Sequence, residues 1–382
     1  MRHIIILGMN FQGLFFLREL AKKRYNLHCI GRNQEEIGMY SRYGKKYVAA
    51  NGMALRQVVK EIVAGSQDKK PIGLFGSGHY LDLVLAEFPE IFQMVDIVGP
   101  ELAVLRMLNS KSTAYEGLIA AGLSVPKTYS FQELSQGLVS FPLIAKWITK
   151  EFYEDSIGKT KVISDSDMFE QFWKSVEQEG RSEHIICQEY ISGTYIQELG
   201  YGAYYERGSE IASMVFSQKR QYPRGLSTYA REVKNELSDH ASAHIRKFLS
   251  GLNYSGFIEV DFLVDYQSAR YYILDINPRP WGSIKIFKKR FPNIVDYVIG
   301  ENISIEERHL GRPAAFARVF YDFMAILMEF RRRKSLSVLG EAFRDYAGSC
   351  LVVDEFDVND WRPIWGCIKK GLKSVWKKRI HW

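Results

Sequence analysis

The stretch YYILDINPRPWGS, residues 271–283, begins as an apolar strand and ends in three polar side chains that would share one face. Asp275, Asn277 and Arg279 stand at alternate positions, and alternate residues of an extended strand point to the same side. An acid, an amide and a base in a row require either a water-facing edge or a ligand. Pro278 and Pro280 suit an edge strand, so the pattern alone leaves both interpretations open.

A second strand precedes this one in the sequence. Residues 256–265 read GFIEVDFLVD, and the turn residues 267–269 predict that the two strands form an antiparallel hairpin. Asp261 would then lie on the strand next to Asp275, with Asn277 beside them. Carboxylates gathered in this way repel one another unless a cation joins them, and Mg²⁺ takes carboxylate and amide oxygens. The hairpin therefore predicts a magnesium site, and a solvated edge strand is the alternative.

The composition is that of a globular protein with a large core, because the 382 residues are 46% hydrophobic and 14% aromatic, enough for two or three domains. Lysine and arginine exceed aspartate and glutamate by 51 to 44, which suits an anionic partner but is too small an excess to predict nucleic-acid binding. The four cysteines have no paired spacing and predict neither a zinc site nor a disulfide framework. Because no signal peptide or bilayer-spanning segment stands out, the protein is expected in the cytoplasm.

The first third of the chain alternates strands and helices. Apolar strands such as HIIILG (residues 3–8) and NLHCIG (residues 26–31) end at glycines and are separated by helical patterns. This order predicts a parallel, doubly wound sheet that ends near Leu108. The first turn has Gly8 and Gly13 without the GxGxxG spacing, and no acid ends the second strand. It therefore favours a plain strand-to-helix connection over dinucleotide binding.

Further motifs lie between this domain and the hairpin. Lys111 opens a helix that ends GLSVPKTY, Lys146 lies in the strand PLIAKW, a polar loop contains Gly158 and Lys159, and residues 188–193 read QEYISG. In this order, the motifs resemble the ATP-grasp superfamily, most closely its stand-alone carboxylate-amine ligases, the group that includes D-aspartate ligase. The resemblance implies an α/β and α+β fold: a Rossmann-like pre-ATP-grasp domain over residues 1–108, a two-lobed ATP-grasp domain over 109–310 with a lid lobe over about 125–190, and a helical basic region over 311–382.

The resemblance implies that the chain binds ATP and Mg²⁺ through the residues that match the family motifs. The lysines would hold phosphates, the QEYISG connector would meet adenine, and a nearby acid would hold the ribose. The ATP-binding residues would be Lys111, Lys146, Lys159, Gln188, Glu189, Ile191 and Glu198. The metal ligands would be Asp261, Asp275 and Asn277, with Glu259 as an accessory. Taken singly, each lysine is also consistent with a solvated side chain, and QEYISG with a strand end and a turn.

The implied reaction is ATP-dependent formation of an amide or peptide bond between a carboxylate and an amine, through an acyl phosphate. The catalytic residues would be Lys146, Arg220 and Arg279, with Arg279 at the γ-phosphate. Arg220, Arg224 and Arg231 belong to a basic segment that suits a substrate carboxylate or phosphosugar, or else a solvated hairpin tip. The alternatives are an ATP-grasp enzyme with a non-amine acceptor and a non-enzymatic nucleotide-binding scaffold at a membrane.

The last residues, WGCIKKGLKSVWKKRIHW, predict an amphipathic helix. Apolar side chains, Ile368, Leu372, Val375 and Trp376, fall on one face, and Lys369, Lys373 and Lys377 fall on another. Such a helix suits peripheral contact with an anionic membrane at the inner face, and docking onto the protein's own core is the alternative. Membrane contact would make a lipid-linked or envelope-polysaccharide acceptor, such as a uronic acid, attractive.

Overall fold

The structure is a computed structural model that describes residues 1–66, 69–147, 160–222, 226–301 and 303–369. The chain divides into two compact units. The first unit comprises Met1–Asn109, Leu199–Val260 and Asn277–Trp382, and the second comprises Ser110–Glu198 and Asp261–Ile276.

A parallel sheet begins the first unit. Its strands are β1 (His3–Leu7), β2 (Asn26–Gly31), β3 (Lys45–Val48), β4 (Ile72–Phe75) and β5 (Asp96–Ile97). The helices around it are α1 (Phe11–Leu20), α2 (Gly52–Ala64), α3 (Gly78–Glu87), α4 (Ile91–Met94) and α5 (Leu102–Asn109). The strand order is β3-β2-β1-β4-β5 with every pair parallel, which confirms the predicted Rossmann-like sheet.

Three glycines let α1 approach the ends of β1 and β4. A Cβ atom on Gly13 would lie 2.0 Å from the carbonyl oxygen of Gly8, and one on Gly76 would lie 2.1 Å from the same oxygen. Gly8 itself has a φ of +99°, a conformation that side chains with a Cβ rarely adopt. The glycines that end the first and fourth strands are therefore required by the close approach of the backbone.

The second unit is built around a four-stranded sheet. Its strands are β6 (Thr128–Tyr129), β7 (Leu143–Trp147), β8 (Thr160–Ile163) and β9 (Ile185–Glu189), in the order β6-β9-β7-β8. The helices of this part are α6 (Lys111–Ala120), α7 (Phe131–Ser135) and α8 (Ser166–Gln178). Phe169 and Trp173 of α8 pack on one face of the sheet with Ala145 and Trp147 of β7. That face is the core of the predicted lid lobe.

The remaining elements lie in and around a seven-stranded sheet. Its strands are β10 (Ile196–Glu206), β11 (Ser209–Gln221), β12 (Ser227–Glu232), β13 (Gly256–Asp265), β14 (Arg270–Asn277), β15 (Ala314–Ala317) and β16 (Cys350–Val353), in the order β14-β13-β10-β11-β12-β15-β16. The helices are α9 (Glu236–Gly251), α10 (Phe287–Arg290), α11 (Ile294–Val298), α12 (Val319–Arg333) and α13 (Ser337–Ala347), with a further helix over residues 363–369. Both predicted hairpins are present, β10–β11 and β13–β14.

The C-terminal region differs from the helical extension predicted from the sequence, because it also contributes two strands to the sheet. The strand β15 pairs antiparallel with β12, and β16 pairs parallel with β15. All four residues of β15 are buried, which suits its small alanine side chains. The predicted amphipathic helix begins within the described helix over residues 363–369, and its residues beyond Lys369 lie outside the described residues. Within the described residues, no helix has the length and apolar character needed to cross a membrane.

A buried arginine fixes the C-terminal region to the first helix. The Arg18 side chain on α1 is 4% exposed and donates to the Asp360 carboxylate at 3.1 Å. It also donates to the backbone carbonyl oxygens of Asp354 at 3.0 Å and Glu355 at 3.2 Å. Since a buried guanidinium is stable only when its donors are satisfied, the C-terminal region is an integral part of the first unit.

Candidate nucleotide site

The strand β7 presents Lys146 on the sheet face opposite the packed core. Side chains alternate along a strand, and Ala145 and Trp147, each 1% exposed, point into the core. Lys146 is therefore directed to the other face, where it is half-buried. Lys111 at the start of α6 donates from Nζ to the carbonyl oxygen of Trp147 at 3.5 Å. The two lysines predicted to hold phosphates thus lie near the same end of β7.

Gln188 shares that face of the sheet. Ile144 pairs with Gln188 and Lys146 pairs with Ile186, and directly opposite residues of antiparallel strands project to the same side. The Gln188 side chain is fully buried and donates from Nε2 to Oγ1 of Thr128 at 2.9 Å. The glutamine of the QEYISG motif is therefore fixed in one orientation by its neighbour on β6.

Tyr115 of α6 connects this face to β14. Its hydroxyl donates to the carbonyl oxygen of Leu274 at 2.6 Å and to Oε1 of Gln188 at 3.4 Å. Burial raises the pKa of Tyr115 well above its usual value, and the nearby Asp275 carboxylate raises it further. Lys111 and Tyr115 are four residues apart and share a helix face, so one face of α6 contacts β7, β9 and β14.

The residues Asp275, Asn277 and Arg279 are half-buried, whereas Ile276 and Pro278 between them are buried. Asp275 Oδ1 accepts from the backbone N–H of Ile276 at 3.2 Å. Asn277 Oδ1 accepts from the Arg279 guanidinium at 3.1 Å, which holds that arginine beside the amide. Asp275 and Asn277 therefore share one face of β14, whereas Arg279 lies beyond the end of the strand, where the backbone turns and its guanidinium contacts Asn277.

The other predicted metal residues lie on β13. Asp261 is half-buried, and Glu259 is 8% exposed. Among the described residues, no cluster of three or more His, Cys, Asp and Glu side chains forms a metal site. A Mg²⁺ site of two carboxylates and one amide, completed by phosphate and water, would not form such a cluster. The metal ligands therefore stay a prediction.

The other residues predicted to bind the nucleotide are more exposed. Glu189 is exposed at the end of β9, where its backbone N–H donates to the carbonyl oxygen of Lys127 at 2.8 Å. Ile191 is half-buried in the connector, and Glu198 is exposed near the start of β10. Lys159 lies outside the described residues, as does Arg224 of the basic segment. Their roles stay predictions.

Arg220 is already bound by two carboxylates of the C-terminal region. Its guanidinium donates to Asp322 at 2.9 Å and to Asp345 at 2.6 Å, and it stacks 4.3 Å from the ring centre of Tyr229. Burial alone would lower the pKa of Arg220, but the hydrogen bonds that it donates to the two carboxylates raise its pKa. A cavity of about 620 Å³ adjoins these residues. A substrate carboxylate at Arg220 would have to compete with both acids.

Sequence reasoning missed two supporting residues, Tyr115 and Thr128. Both act through hydrogen bonds to Gln188, and Tyr115 also holds the β14 backbone beside Asp275. The one available signal for Tyr115 was its spacing of four residues from Lys111 on a predicted helix. Thr128 had no such signal, because its pairing with Gln188 joins strands 60 residues apart.

Comparison with solved structures identifies the fold. No protein-family model matches the chain, and no curated protein matches it. The structure is similar to that of an N5-carboxyaminoimidazole ribonucleotide synthetase in complex with ADP, with a TM-score of 0.65 and 13% identity over 82% of this chain and 80% of that one. It is also similar to the ADP complex of N5-carboxyaminoimidazole synthetase from Staphylococcus aureus, with a TM-score of 0.63 and 14% identity over 82% and 81%.

A third similar structure is the biotin carboxylase domain of a 2-oxoglutarate carboxylase from Hydrogenobacter thermophilus, in complex with MgADP, ADP and bicarbonate. Its TM-score is 0.62, with 12% identity over 80% of this chain and 71% of that one. Identities this low establish a shared architecture and do not transfer a substrate. These structures show that the chain has the ATP-grasp fold that its ordered motifs predict.

Proposed function

We propose that the protein is an ATP-dependent carboxylate-amine ligase that forms an amide or peptide bond through an acyl phosphate. The observation that carries the proposal is the face of α6, where Lys111 and Tyr115 contact the strands that bear Lys146, Gln188 and Asp275. These are the residues that the family motifs assign to phosphates, adenine and metal. The ADP complexes of the similar structures support a nucleotide at this fold.

The side chains fit the charges of the proposed reaction. Asp261, Asp275 and Asn277 supply the oxygen donors that suit Mg²⁺, and bound Mg²⁺ would neutralise the triphosphate. Lys146 and Arg279 would bind the phosphoryl group as a substrate carboxylate oxygen forms a bond to the γ-phosphorus and ADP leaves. An amine would then attack the acyl carbon and expel phosphate. The protein's contribution is positioning and charge stabilisation, with no covalent nucleophile.

Oxygen labelling tests this reaction. With ATP, Mg²⁺ and pools of carboxylates and amines, we expect ADP and phosphate to form only when both pools are present. One oxygen of an ¹⁸O-labelled carboxylate should appear in the phosphate, because the amine displaces it from the acyl carbon. Formation of AMP and pyrophosphate would contradict an acyl phosphate. Bound ATP without turnover in any pool would favour a scaffold.

Bicarbonate belongs in the acid pool as a separate arm. A similar structure was solved with bicarbonate, although at 12% identity this likeness concerns the fold alone. Turnover with bicarbonate and no other acid would identify a carboxylating enzyme instead of an amide ligase.

We further propose a cytoplasmic location, which the four free cysteines suit. As the first class of acid to test, we propose a sugar acid of an envelope polysaccharide.

Replacing Tyr115 by phenylalanine is expected to weaken ATP binding by about threefold to tenfold. The change removes the hydroxyl hydrogen that lies between the carbonyl oxygen of Leu274 and Oε1 of Gln188. Loss of one hydrogen bond typically costs about 0.5–1.5 kcal/mol, and a tenfold change in affinity corresponds to about 1.4 kcal/mol. Titration calorimetry with a non-hydrolysable ATP analogue measures the affinity. Tyr129→Phe is the matched control, since its hydroxyl bonds only Ser140 within the described residues of the same unit. Equal weakening in the control would indicate a general loss of stability.

A further inference from the structure

The helix α12 has apolar side chains on the side that faces solvent as well as on the side that packs against the protein. Asp322 on this helix is fully buried, whereas Phe323 is 62% exposed and Met328 is 49% exposed. Asp322 is buried because it accepts from Arg220 and from Oγ1 of Thr228 at 2.7 Å. The inward side of this helix also buries Ala325 and Ile326, as a surface helix normally does, so the exposed apolar residues are additional to the usual inward stripe. The exposed stripe of α12 is therefore unpartnered within the described residues.

The next helix, α13, extends this surface. Leu336 is 74% exposed and Phe343 is 72% exposed, and Leu339 lies between them at helical spacing. The two helices contact each other through Ile326, Val338 and Ala342.

On each of the two helices, an acidic residue lies on the side that faces the sheet. Asp322 of α12 and Asp345 of α13 both bind Arg220 of β11. Residues two positions apart lie about 200° around a helix, so Phe320 and Phe343 point away from these acids and from the sheet. We call the outward set the apolar hairpin face, which consists of Phe320, Phe323, Met328, Leu336, Leu339 and Phe343.

Positive charge borders the apolar hairpin face. Arg331 and Lys334 are exposed at the end of α12, and neither forms an ion pair among the described residues. The nearby acids are already paired, Glu329 with Arg332 at 2.6 Å and Glu341 with Arg333 at 2.9 Å. The face therefore presents aromatic and aliphatic side chains beside uncompensated positive charge.

We propose that the apolar hairpin face binds the surface of an anionic lipid bilayer. Apolar side chains beside basic ones match the boundary between acyl chains and anionic headgroups. A twofold contact through this face would instead present a second copy of the same surface, whose nearby acids Glu329 and Glu341 are already paired and would not neutralise Arg331 and Lys334. Charge complementarity thus favours lipid over self-association. The surface is distinct from the terminal segment in which sequence analysis placed membrane contact.

Vesicle binding tests the proposal with the full chain. We expect it to float with phosphatidylcholine vesicles that contain phosphatidylglycerol, and much less with phosphatidylcholine alone. The double variant Phe323→Ser/Phe343→Ser should bind at least about tenfold more weakly, because it removes two inserted rings. The variant Arg331→Glu/Lys334→Glu should lose the preference for the anionic vesicles. Met53→Ser on α2, at a side chain that is 82% exposed, is the matched control and should bind like the wild type.

Three results would overturn the proposal. The first is no binding to the anionic vesicles at low salt, where electrostatic attraction is strongest. The second is binding that the ring and charge variants leave unchanged, which would assign it to other residues. The third is a wild-type dimer in light scattering that the ring variant dissociates without any vesicle binding, which would identify a second copy as the occupant. Circular dichroism should show that the variants, all at exposed positions, remain folded.

Discussion

Replacing Asp275 by asparagine is expected to lower Mg²⁺-dependent phosphate release from ATP by about a hundredfold to a thousandfold. The amide has the shape of the carboxylate and keeps an oxygen for the Ile276 N–H, so β14 should be preserved. What disappears is the negative charge that would hold the cation against the triphosphate. The measurement is the initial rate of phosphate release with both substrate pools, over a series of Mg²⁺ concentrations.

The control for this variant is Asp265→Asn, the same substitution at the turn end of the same hairpin. Asp265 accepts from the backbone N–H of Gln267 at 2.9 Å and serves the turn alone among the described contacts. Full activity in Asp275→Asn would refute the metal assignment. Equal loss in the two variants would show that the hairpin, and not the charge, had been damaged. In Asp275→Asn, nucleotide affinity should also lose its dependence on Mg²⁺.

Replacing Arg318 by leucine is expected to destabilise the protein by about 3–5 kcal/mol, the usual cost of removing one partner of a buried ion pair. Arg318 is 1% exposed and donates to Asp354 at 3.0 Å. It also donates to the carbonyl oxygens of Ser227 and Gly282, and its guanidinium stacks 4.0 Å from the ring centre of Phe11. Its loss would leave the Asp354 carboxylate buried without its main partner.

Urea unfolding followed by circular dichroism measures this loss as a lower transition midpoint. Burial already raises the pKa of Asp354, and Arg318 opposes that rise, so the unpaired acid should take up a proton more readily in the variant. Arg308→Leu is the matched control, because the Arg308–Glu306 pair is exposed and should change stability by less than about 1 kcal/mol. A similar small change for Arg318→Leu would refute the structural role of the buried pair.

Arg318 also ties the C-terminal region to the segment that follows the polar row. Its guanidinium donates to the carbonyl oxygen of Gly282, three residues beyond Arg279. Arg318→Leu is therefore expected to disturb the position of Arg279 through the intervening backbone, in addition to lowering the free energy of unfolding. The C-terminal region thereby supports the segment that follows Asp275, Asn277 and Arg279.

Local patterns in the sequence determined the parallel first sheet, the two hairpins and the shared face of Asp275 and Asn277 on β14. Each depends on a period of two or on turn residues next to one another, so neighbouring side chains are sufficient to specify it. The ordered motifs likewise indicated the ATP-grasp fold, which the similar structures show.

Three features could not be read from the sequence and required the tertiary structure. They are the partners of Tyr115 and Arg220, the strands β15 and β16, and the exposed side of α12. Tyr115 reaches Leu274 across 159 residues, and Arg220 reaches Asp322 across 102. The two short strands acquire their order from pairing with β12 and with each other, since four residues carry too little pattern to predict a strand. On α12, the ion pair with Arg220 holds Asp322 inward, and Phe320 and Phe323 therefore face outward. A distant residue thus decides which side of this helix is exposed.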